Sequence, residues 1–325
     1  MIDTSQKFDL ILRNAKVLLP NDKIEEIDIG VTNSKIASLG NLNGKVSVKT
    51  LDLKGLLVIP GVIDTQVHFR EPGLTHKEDI FHGTKGAVLG GVTSIFEMPN
   101  TNPPTTNVSE LEHKFEIAKE NAFCNYSFFV GATKENVDDL KKLENFPGCC
   151  GVKIFMGSST GDLLVEDDKN ILKILKSVKK MIAVHSEDEF RLKERKESFS
   201  KESISVLDHP YLRDVESAVK STKRLLNAAN ISKKKIHILH LSTSDEVDLL
   251  RSNKNIATCE ATPQHLFFSA PECYEKLGSF AQMNPPIRDF SHTQGIWKGV
   301  SDKVIDVIGS DHAPHTIEEK RKKYP

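Results

Sequence analysis

The chain has 325 residues, of which 38% are hydrophobic, and 44 Lys and Arg against 45 Asp and Glu give a formal net charge of -1. This balance disfavours a nucleic-acid-binding protein or a polybasic membrane-surface protein, since both usually carry a marked positive excess. No apolar run approaches the roughly 18 residues of a membrane span, and the N-terminus predicts no signal peptide. The five cysteines are scattered without CxxC spacing. We therefore expect a cytoplasmic protein with free thiols.

Short strand-like segments separated by polar turns fill residues 8–59. Turn signals recur at hairpin spacing, at Asn21-Asp22, Asn33-Ser34, Gly40 and Asn43-Gly44. Such spacing is typical of strands joined by tight turns. The segment therefore predicts a small antiparallel β-layer, distinct from the rest of the chain.

Residues 58–70, VIPGVIDTQVHFR, read as one apolar strand that ends in polar groups. The β-branched residues favour a buried parallel strand over a helix. Gln66 and His68 alternate with Val67, so both side chains point to the same side of the strand. Arg70 follows two residues later. If this is the first strand of a barrel, His68 faces the mouth where metals and substrates bind.

Strand-like and helix-like segments then alternate along the chain. Further strands are predicted at residues 92–98, 123–130, 149–156, 181–185, 236–241, 256–260 and 304–308. Helices are predicted at residues 78–89, 109–121 with Ser109 as the cap, from about 134, and at 168–179, 215–229 and 245–251. The charged segment 191–201 is interpreted as a solvated helix face or loop. Eight strands with intervening helices predict an α/β fold, a (β/α)8 TIM-type barrel.

The predicted organisation has two parts: residues 1–59 as the N-terminal part of a β-sandwich, and residues 60–325 as the barrel. A closing eighth helix and partners for the N-terminal strands are missing from the pattern. We therefore expect the chain to be truncated at its C-terminal end, after the eighth strand.

The carboxyl ends of barrel strands converge on one site, so polar residues there are candidate ligands. Applied to this chain, the rule selects His68, Lys153, His185, His240 and Asp311. A single strand-end histidine is more often simply packed, but three of them with an aspartate favour zinc or a similar divalent ion. Lys153 does not suit a metal site as an ammonium. Carboxylation of its amine by CO2 would give an anionic carbamate that can bridge two ions.

Several segments together resemble the amidohydrolase superfamily and, within it, the dihydroorotase family, from about residue 8 to the last residue. The matching segments are PGVIDTQVHFREPGLTHKED, GGVTSIFEMPNTNPPT, GVKIFMGSSTG, AVHSED, ILHLST, MNPPIR and IGSDHAPH. The resemblance implies a barrel with two divalent metal ions, zinc by expectation, bridged by a carboxylated lysine. It also implies a β-sandwich built from both ends of the chain, of which the C-terminal half would be missing here.

The resemblance implies a metal-binding role for each strand-end residue. His68 and Asp311 would bind one ion, His185 and His240 the other, and Lys153 would bridge them. Asp311 would also act as the general base and acid.

Other positions match the substrate contacts of that family. Arg70, Asn100 and His315 match the residues that hold the substrate α-carboxylate, and Asn284 matches a further contact. A planar guanidinium pairs bidentately with a carboxylate, which agrees with the role of Arg70.

The chain departs from the family pattern at Gln66, where His-x-His is usual on the first strand. An amide carbonyl is a poorer zinc ligand than imidazole, so we expect Gln66 to be a weak ligand or only to support the others.

The predicted function is reversible hydrolysis of L-dihydroorotate to N-carbamoyl-L-aspartate, a step of de novo pyrimidine biosynthesis. One alternative is a hydantoinase or allantoinase, which would share the metal cluster. Another is a non-catalytic dihydroorotase-like subunit that serves as a scaffold for aspartate transcarbamoylase. We expect a small-molecule substrate, no nucleic acid or membrane partner, and either a homo-oligomer or an assembly with aspartate transcarbamoylase.

Overall fold

The computed structural model describes residues 7–157, 163–199, 204–322 and 324. They form two compact units, which divide between Val62 and Ile63. Part of the GSSTG motif after the fourth barrel strand, and the end of the charged segment 191–201, lie outside the described residues. None of the described helices combines the length and apolar character needed to cross a membrane.

The first unit is a five-stranded sheet. Its strands are β1 (Phe8–Leu18), β2 (Ile24–Thr32), β3 (Lys35–Gly40), β4 (Ser47–Asp52) and β5 (Leu57–Val58). The β1–β2 and β2–β3 pairs are antiparallel, as predicted. The prediction of an all-antiparallel layer is wrong, because β4 and β5 lie parallel to β1. The turn at Asn43-Gly44 does not close a hairpin, since the chain crosses from β3 to the far side of β1.

Eight parallel strands of the second unit form a nearly closed barrel, in the order in which they occur along the chain. They are β6 (Val62–Val67), β7 (Val92–Glu97), β8 (Asn125–Gly131), β9 (Cys149–Phe155), β10 (Met181–His185), β11 (Ile236–Ile238), β12 (Ala257–Ala261) and β13 (Val307–Ile308). A single bridge between Val67 and His312 joins the first strand to the segment after the last. The predicted (β/α)8 barrel is therefore confirmed.

Helices surround these strands. They are α1 (Ile80–Leu89), α2 (Val108–Asn121), α3 (Leu140–Glu144), α4 (Asp168–Ser177), α5 (Glu189–Glu197), α6 (His209–Leu212), α7 (Val215–Ser232), α8 (Ser244–Arg251), α9 (Pro263–Phe267), α10 (Glu272–Leu277), α11 (Phe290–Ser301) and α12 (Ile317–Lys320). The prediction that Ser109 caps the second helix is wrong. Asn107 is the cap, because its backbone is extended and its side chain accepts a hydrogen bond from the Glu110 amide.

The predicted strand over residues 58–70 is in fact two strands, β5 and β6. Residues 59–61 lie outside any strand, and this break contains Pro60, which has no backbone N–H to donate to a sheet. Helices α9, α10 and α11, between residues 263 and 301, were not predicted. The helix expected from about residue 134 begins only at Leu140.

Alternation along the barrel strands decides which side chains reach the site. Val152 and Ile154 of β9 and Ile182 and Val184 of β10 belong to the large buried apolar cluster that includes helix residues. Because side chains alternate along a strand, Lys153 and His185 point to the opposite side, into the barrel. Packing of the apolar face thus directs polar groups toward the interior.

Candidate metal and substrate site

All ten residues singled out from the sequence line one cavity of about 850 Å³ at the carboxyl ends of the barrel strands. They are Gln66, His68, Arg70, Asn100, Lys153, His185, His240, Asn284, Asp311 and His315. The volume is in the range of small-molecule sites. The structure therefore brings the predicted residues together, while the role of each one remains a prediction.

His68 and Asp311 form the first contact within this cavity. His68 Nε2 and Asp311 Oδ1 lie 3.1 Å apart. On the other side of the ring, His68 Nδ1 lies 2.6 Å from the Asn100 carbonyl oxygen. Since that oxygen can only accept, Nδ1 carries the proton, and the neutral ring presents the lone pair of Nε2 to Asp311. A proton or a cation is therefore needed between these two acceptors.

His185 and His240 form a second pair, with His185 Nδ1 and His240 Nε2 3.0 Å apart. His185 donates its Nε2–H to Glu187 Oε2 at 2.8 Å, so the Nδ1 lone pair of the neutral ring faces His240. Arg213 also contacts Glu187. Burial would raise the pKa of Glu187, but Arg213 and the bond from His185 hold it well below its ordinary value.

Burial lowers the pKa of each of the three histidines, His68, His185 and His240. Neutral imidazoles with an available lone pair are the form that binds metal ions. Burial therefore favours the neutral form of all three rings, which is the form that can bind a metal ion.

Lys153 is fully buried at 0% exposure, and its amine has no hydrogen-bond partner within the described part of the chain. Its Nζ lies 4.4 Å from the centre of the Phe155 ring. Burial lowers the pKa of Lys153 to about 7, against a partial opposing effect of Asp311 and Glu260. A substantial neutral fraction at pH 7 supplies the nucleophilic amine that reaction with CO2 requires.

Asp311 is ionised at neutral pH. Burial alone would raise the pKa of this carboxyl, but the contact with His68 and the proximity of His240 lower it to about 2. Gln66 Nε2 donates a further hydrogen bond to Asp311 Oδ1 at 2.9 Å. The hydrogen bond from Gln66 thus holds the carboxylate by its Oδ1 oxygen.

Three of these residues have left-handed backbone conformations: Arg70 with φ 64°, His240 with φ 36° and Asp311 with φ 49°. Residues other than glycine seldom adopt this region outside turns, and such strain concentrates at functional sites. The left-handed backbone of these residues is therefore consistent with a functional requirement for the positions of their side chains.

Arg70 also lines the cavity. The side chain is buried, with the residue 8% exposed, and burial lowers its pKa. Its Nε donates to the Pro314 carbonyl at 3.1 Å, and one Nη2 hydrogen points to His315 Nε2 at 3.3 Å. A guanidinium has five N–H donors, so three remain without a protein acceptor among the described residues. Those three can bind an anionic group in the cavity.

The other predicted substrate contacts differ in their hydrogen bonds and in their exposure. The Asn100 carbonyl oxygen is already bonded to His68, so Asn100 orients that ring. Asn284 is exposed at the cavity wall. His315 Nδ1 lies 3.1 Å from Glu319 Oε2, which fixes the ring beside Arg70.

Sequence reasoning missed four charged residues around the site: Glu187, Arg213, Lys77 and Glu319. Glu187 could have been found, because it lies two residues after a strand-end histidine in AVHSED. Lys77 and Glu319 form an ion pair of 3.2 Å next to His315, and nothing in their sequence context indicated it. The same is true of Arg213.

The side chains of the cavity include donors that suit metal ions. No group of three or more His, Cys, Asp or Glu side chains in the described ranges is arranged to hold an ion without help from other residue types. Two tetrahedral zinc ligands lie about 3.3 Å apart, close to the separations within the His185–His240 and His68–Asp311 pairs. A carbamate formed on the unpartnered amine of Lys153, in the same cavity, would supply a further donor. The residues therefore fit a divalent metal ion.

Comparison with known proteins agrees with this geometry. The model of the amidohydrolase family matches residues 57–320. A dihydroorotase of Methanosarcina mazei is 33% identical over 327 residues, covering 96% of this chain and 70% of that protein. An allantoinase of Escherichia coli K12 is 32% identical and covers 96% of this chain and 71% of its own length.

Among solved structures, an L-hydantoinase from Arthrobacter aurescens superimposes with a TM-score of 0.89 at 26% identity. It covers 96% of this chain and 71% of its own. Members of the matched family are generally metal-dependent. Dihydroorotase, allantoinase and hydantoinase are all hydrolases of cyclic amides. The chain therefore belongs to the amidohydrolase family and is a hydrolase of the cyclic-amide type, with dihydroorotases and allantoinases as homologues.

Proposed function

We propose that this chain hydrolyses L-dihydroorotate reversibly to N-carbamoyl-L-aspartate, a step of de novo pyrimidine biosynthesis. The observation that carries the proposal is the guanidinium of Arg70, which lines the same cavity as the three histidines and Asp311. The scissile amide and the α-carboxylate of dihydroorotate lie on one small ring. A site for this substrate therefore needs a hydrolytic centre and a cation close together, and the dihydroorotase relatives support the same substrate.

His185, His240 and carboxylated Lys153 would hold a divalent ion, for which zinc suits the imidazole ligands. When bound, such an ion lowers the pKa of water and polarises the carbonyl of the amide. Glu187 orients His185 by accepting its Nε2–H, so that Nδ1 is the ligand atom. The proposed hydrolysis does not depend on the second ion predicted at His68 and Asp311.

Asp311 is the proposed general base and acid. A carboxylate that is ionised at neutral pH can take a proton from the attacking water and return it to the departing ring nitrogen. The hydrogen bond from Gln66 goes to Oδ1, which leaves Oδ2 for this proton transfer. Because the same group must accept and then donate, Asp311 is the residue whose loss should stop turnover.

Arg70 is the proposed anchor for the substrate carboxylate, through the N–H groups that have no protein acceptor among the described residues. His315 supports the guanidinium from one side. Asn100 acts chiefly by orienting His68, and Asn284 contributes a further polar contact at the wall. A bidentate pair between guanidinium and carboxylate would fix the ring with its amide toward Asp311.

The main alternative is an allantoinase or hydantoinase, favoured by the allantoinase relative at nearly the same identity as the dihydroorotase. A non-catalytic scaffold for aspartate transcarbamoylase is favoured by Gln66, which stands where the family pattern has histidine. Homo-oligomerisation and the transcarbamoylase partner stay predictions.

The test is a comparison of substrates with zinc-loaded protein in bicarbonate buffer. Dihydroorotate, allantoin and hydantoin are supplied separately, and kcat/KM is measured for each. We expect dihydroorotate to be preferred over both neutral rings. Preference for allantoin or hydantoin would replace the proposal by the alternative, and absence of turnover with all three would favour the scaffold.

A further inference from the structure

Asn284 lies in a segment of the cavity wall that has no regular secondary structure. The described residues 282–288 belong to no helix or strand. Asn284 is exposed and lines the cavity, whereas the four residues that follow it are buried. Peptide groups in such a segment have no partners from a helix or a sheet, so other groups must bond to them. The position of Asn284 therefore depends on side chains that bond to the backbone beside it.

His209 bonds to the backbone on the N-terminal side of Asn284. It is 1% exposed, and its Nε2 lies 2.8 Å from the Met283 carbonyl oxygen. Its Nδ1 lies 2.7 Å from the Tyr324 hydroxyl. Because a carbonyl oxygen can only accept, Nε2 carries the proton, and Nδ1 of the neutral ring accepts from the hydroxyl. Both nitrogens are bonded, so the imidazole holds the Met283 carbonyl in one place.

His265 bonds in the same way to the backbone on the C-terminal side of Asn284. It is 2% exposed, and its Nε2 lies 3.1 Å from the Pro285 carbonyl oxygen. Its Nδ1 lies 2.8 Å from the Thr262 hydroxyl. Here too Nε2 must donate to the carbonyl, and Nδ1 accepts from the hydroxyl. The two carbonyls that flank Asn284 are thus each bonded to a buried histidine whose second nitrogen is bonded to a hydroxyl.

The metal and proton chemistry proposed for the cavity does not use these two histidines. Burial lowers the pKa of His209 to about 3 and that of His265 to about 4, so both rings are neutral at pH 7. Each ring has a protein partner on both nitrogens, which leaves no lone pair for a metal ion. Neither residue is among the described residues that line the cavity.

Helix α6, which begins with the first of these histidines, also connects to the hydrolytic centre. Arg213 follows this helix and contacts Glu187, which accepts the Nε2–H of His185. The guanidinium of Arg288, four residues after Asn284, donates to the Arg213 carbonyl. The helix therefore links the segment that carries Asn284 to the residues that orient a proposed metal ligand.

We propose that His209 and His265 are positioning residues, which hold the backbone on either side of Asn284 so that its amide contacts the substrate. This inference rests on the proposed function for the role of Asn284, and it adds what fixes that contact. Neither histidine touches the substrate, and each acts through Asn284. Loss of either ring should therefore weaken substrate binding and leave bond cleavage and zinc content nearly unaffected.

The experiment is a double-mutant cycle on the zinc-loaded full chain in bicarbonate buffer, with KM and kcat measured for dihydroorotate. We expect Asn284→Ala, His209→Phe and His265→Phe each to raise KM about 3- to 10-fold, the effect of one lost neutral hydrogen bond. In the Asn284→Ala background, neither Phe substitution should raise KM further, because substitutions that remove the same contact are not additive. A general structural effect would instead multiply with that of Asn284→Ala.

Two further variants distinguish the hydrogen bond from the mere presence of a ring. His209→Gln keeps an N–H donor for the Met283 carbonyl and should restore most of the affinity that His209→Phe loses. His292→Phe is the matched control. It removes another partly buried imidazole, which accepts from the Ser244 amide at 3.1 Å and does not line the cavity. We expect this control to leave KM unchanged.

An unchanged KM in either folded Phe variant, or a rise that multiplies with that of Asn284→Ala, would overturn the inference. Thermal melting verifies that each variant is folded. If one Phe variant does not fold, the other decides by the same cycle. If neither folds, Tyr324→Phe decides, since it removes the hydroxyl that bonds His209 Nδ1. A higher KM that disappears in the Asn284→Ala background supports the proposal, and an unchanged KM refutes it.

These outcomes separate from those of the proposed function. Turnover of dihydroorotate with an unchanged KM in Asn284→Ala would refute only the positioning role. Preference for allantoin or hydantoin would refute only the proposed substrate, and the same cycle on the preferred ring then decides the positioning role. If no ring is turned over, calorimetric Kd values for dihydroorotate replace KM, and absence of binding overturns both proposals.

Discussion

Replacement of Arg70 by methionine tests how the substrate carboxylate is held. Methionine keeps much of the apolar stem but removes all five N–H donors. In the folded protein two of these donors bind the Pro314 carbonyl and His315, and the other three have no acceptor among the described residues. The variant therefore loses the proposed anchor and a cation that offsets the charge of Asp311.

The magnitude follows from the bonds that are lost. A hydrogen bond to a charged group contributes about 1.5–3 kcal/mol, and part of a bidentate pair is regained when water enters the vacated space. A net loss of about 2–4 kcal/mol corresponds to a roughly 30- to 1,000-fold decrease in kcat/KM for dihydroorotate. Most of the decrease should appear as a higher KM, because the carboxylate does not take part in bond cleavage.

The assay compares dihydroorotate with dihydrouracil, the same ring without a carboxylate. We expect Arg70→Met to leave the low activity on dihydrouracil nearly unchanged. Arg251→Met serves as the control for loss of an exposed arginine, since Arg251 pairs with Asp302 outside the cavity. An unchanged KM for dihydroorotate in folded Arg70→Met would refute the assignment of Arg70 as the carboxylate anchor.

Three further substitutions test the hydrolytic centre. Asp311→Asn should lower kcat by at least about 100-fold while zinc content stays the same, and near-normal turnover would contradict its role in proton transfer. Lys153→Met should abolish the carbamate signal that 13C NMR detects after incubation of the wild type with 13C-bicarbonate; no such signal in the wild type would argue against carboxylation. Glu187→Gln should weaken zinc affinity about 10- to 100-fold, because His185 loses its orienting acceptor. The pKa of Glu187 is lowered in the folded chain from 4.5. Glu187 therefore contributes stability above that pH, which is lost as the pH falls, and the wild type should lose thermal stability below about pH 5 more steeply than Glu187→Gln. Equal slopes would contradict the buried charge.

The barrel could be predicted because its strands carry a strong local signal. Residues 181–185 and 149–155 are short apolar runs with β-branched residues, and they recur at the spacing of alternating strands and helices. The observed bounds of both strands agree with the predicted bounds within one residue. The convergence of strand ends then follows from the geometry of parallel strands, which is why all ten candidate residues line one cavity.

The features that could not be predicted depend on contacts between distant parts of the chain. The parallel arrangement of β4 beside β1 cannot be inferred from turn residues, because these indicate only the pairing of strands that are adjacent in sequence. The pairing of Arg213 with Glu187 joins residues 26 positions apart. That Gln66 donates to Asp311, 245 residues away, is likewise a property of the fold and not of the local pattern.

The most direct test of the central claim is dihydroorotate turnover measured on one sample as its metal is removed and restored. Strand-end side chains are proposed to hold a metal ion beside Asp311, so turnover should fall with zinc content during chelation. It should return when zinc and bicarbonate are added back. Full turnover in folded protein free of metal, or no turnover in folded protein that has bound zinc, would contradict the account.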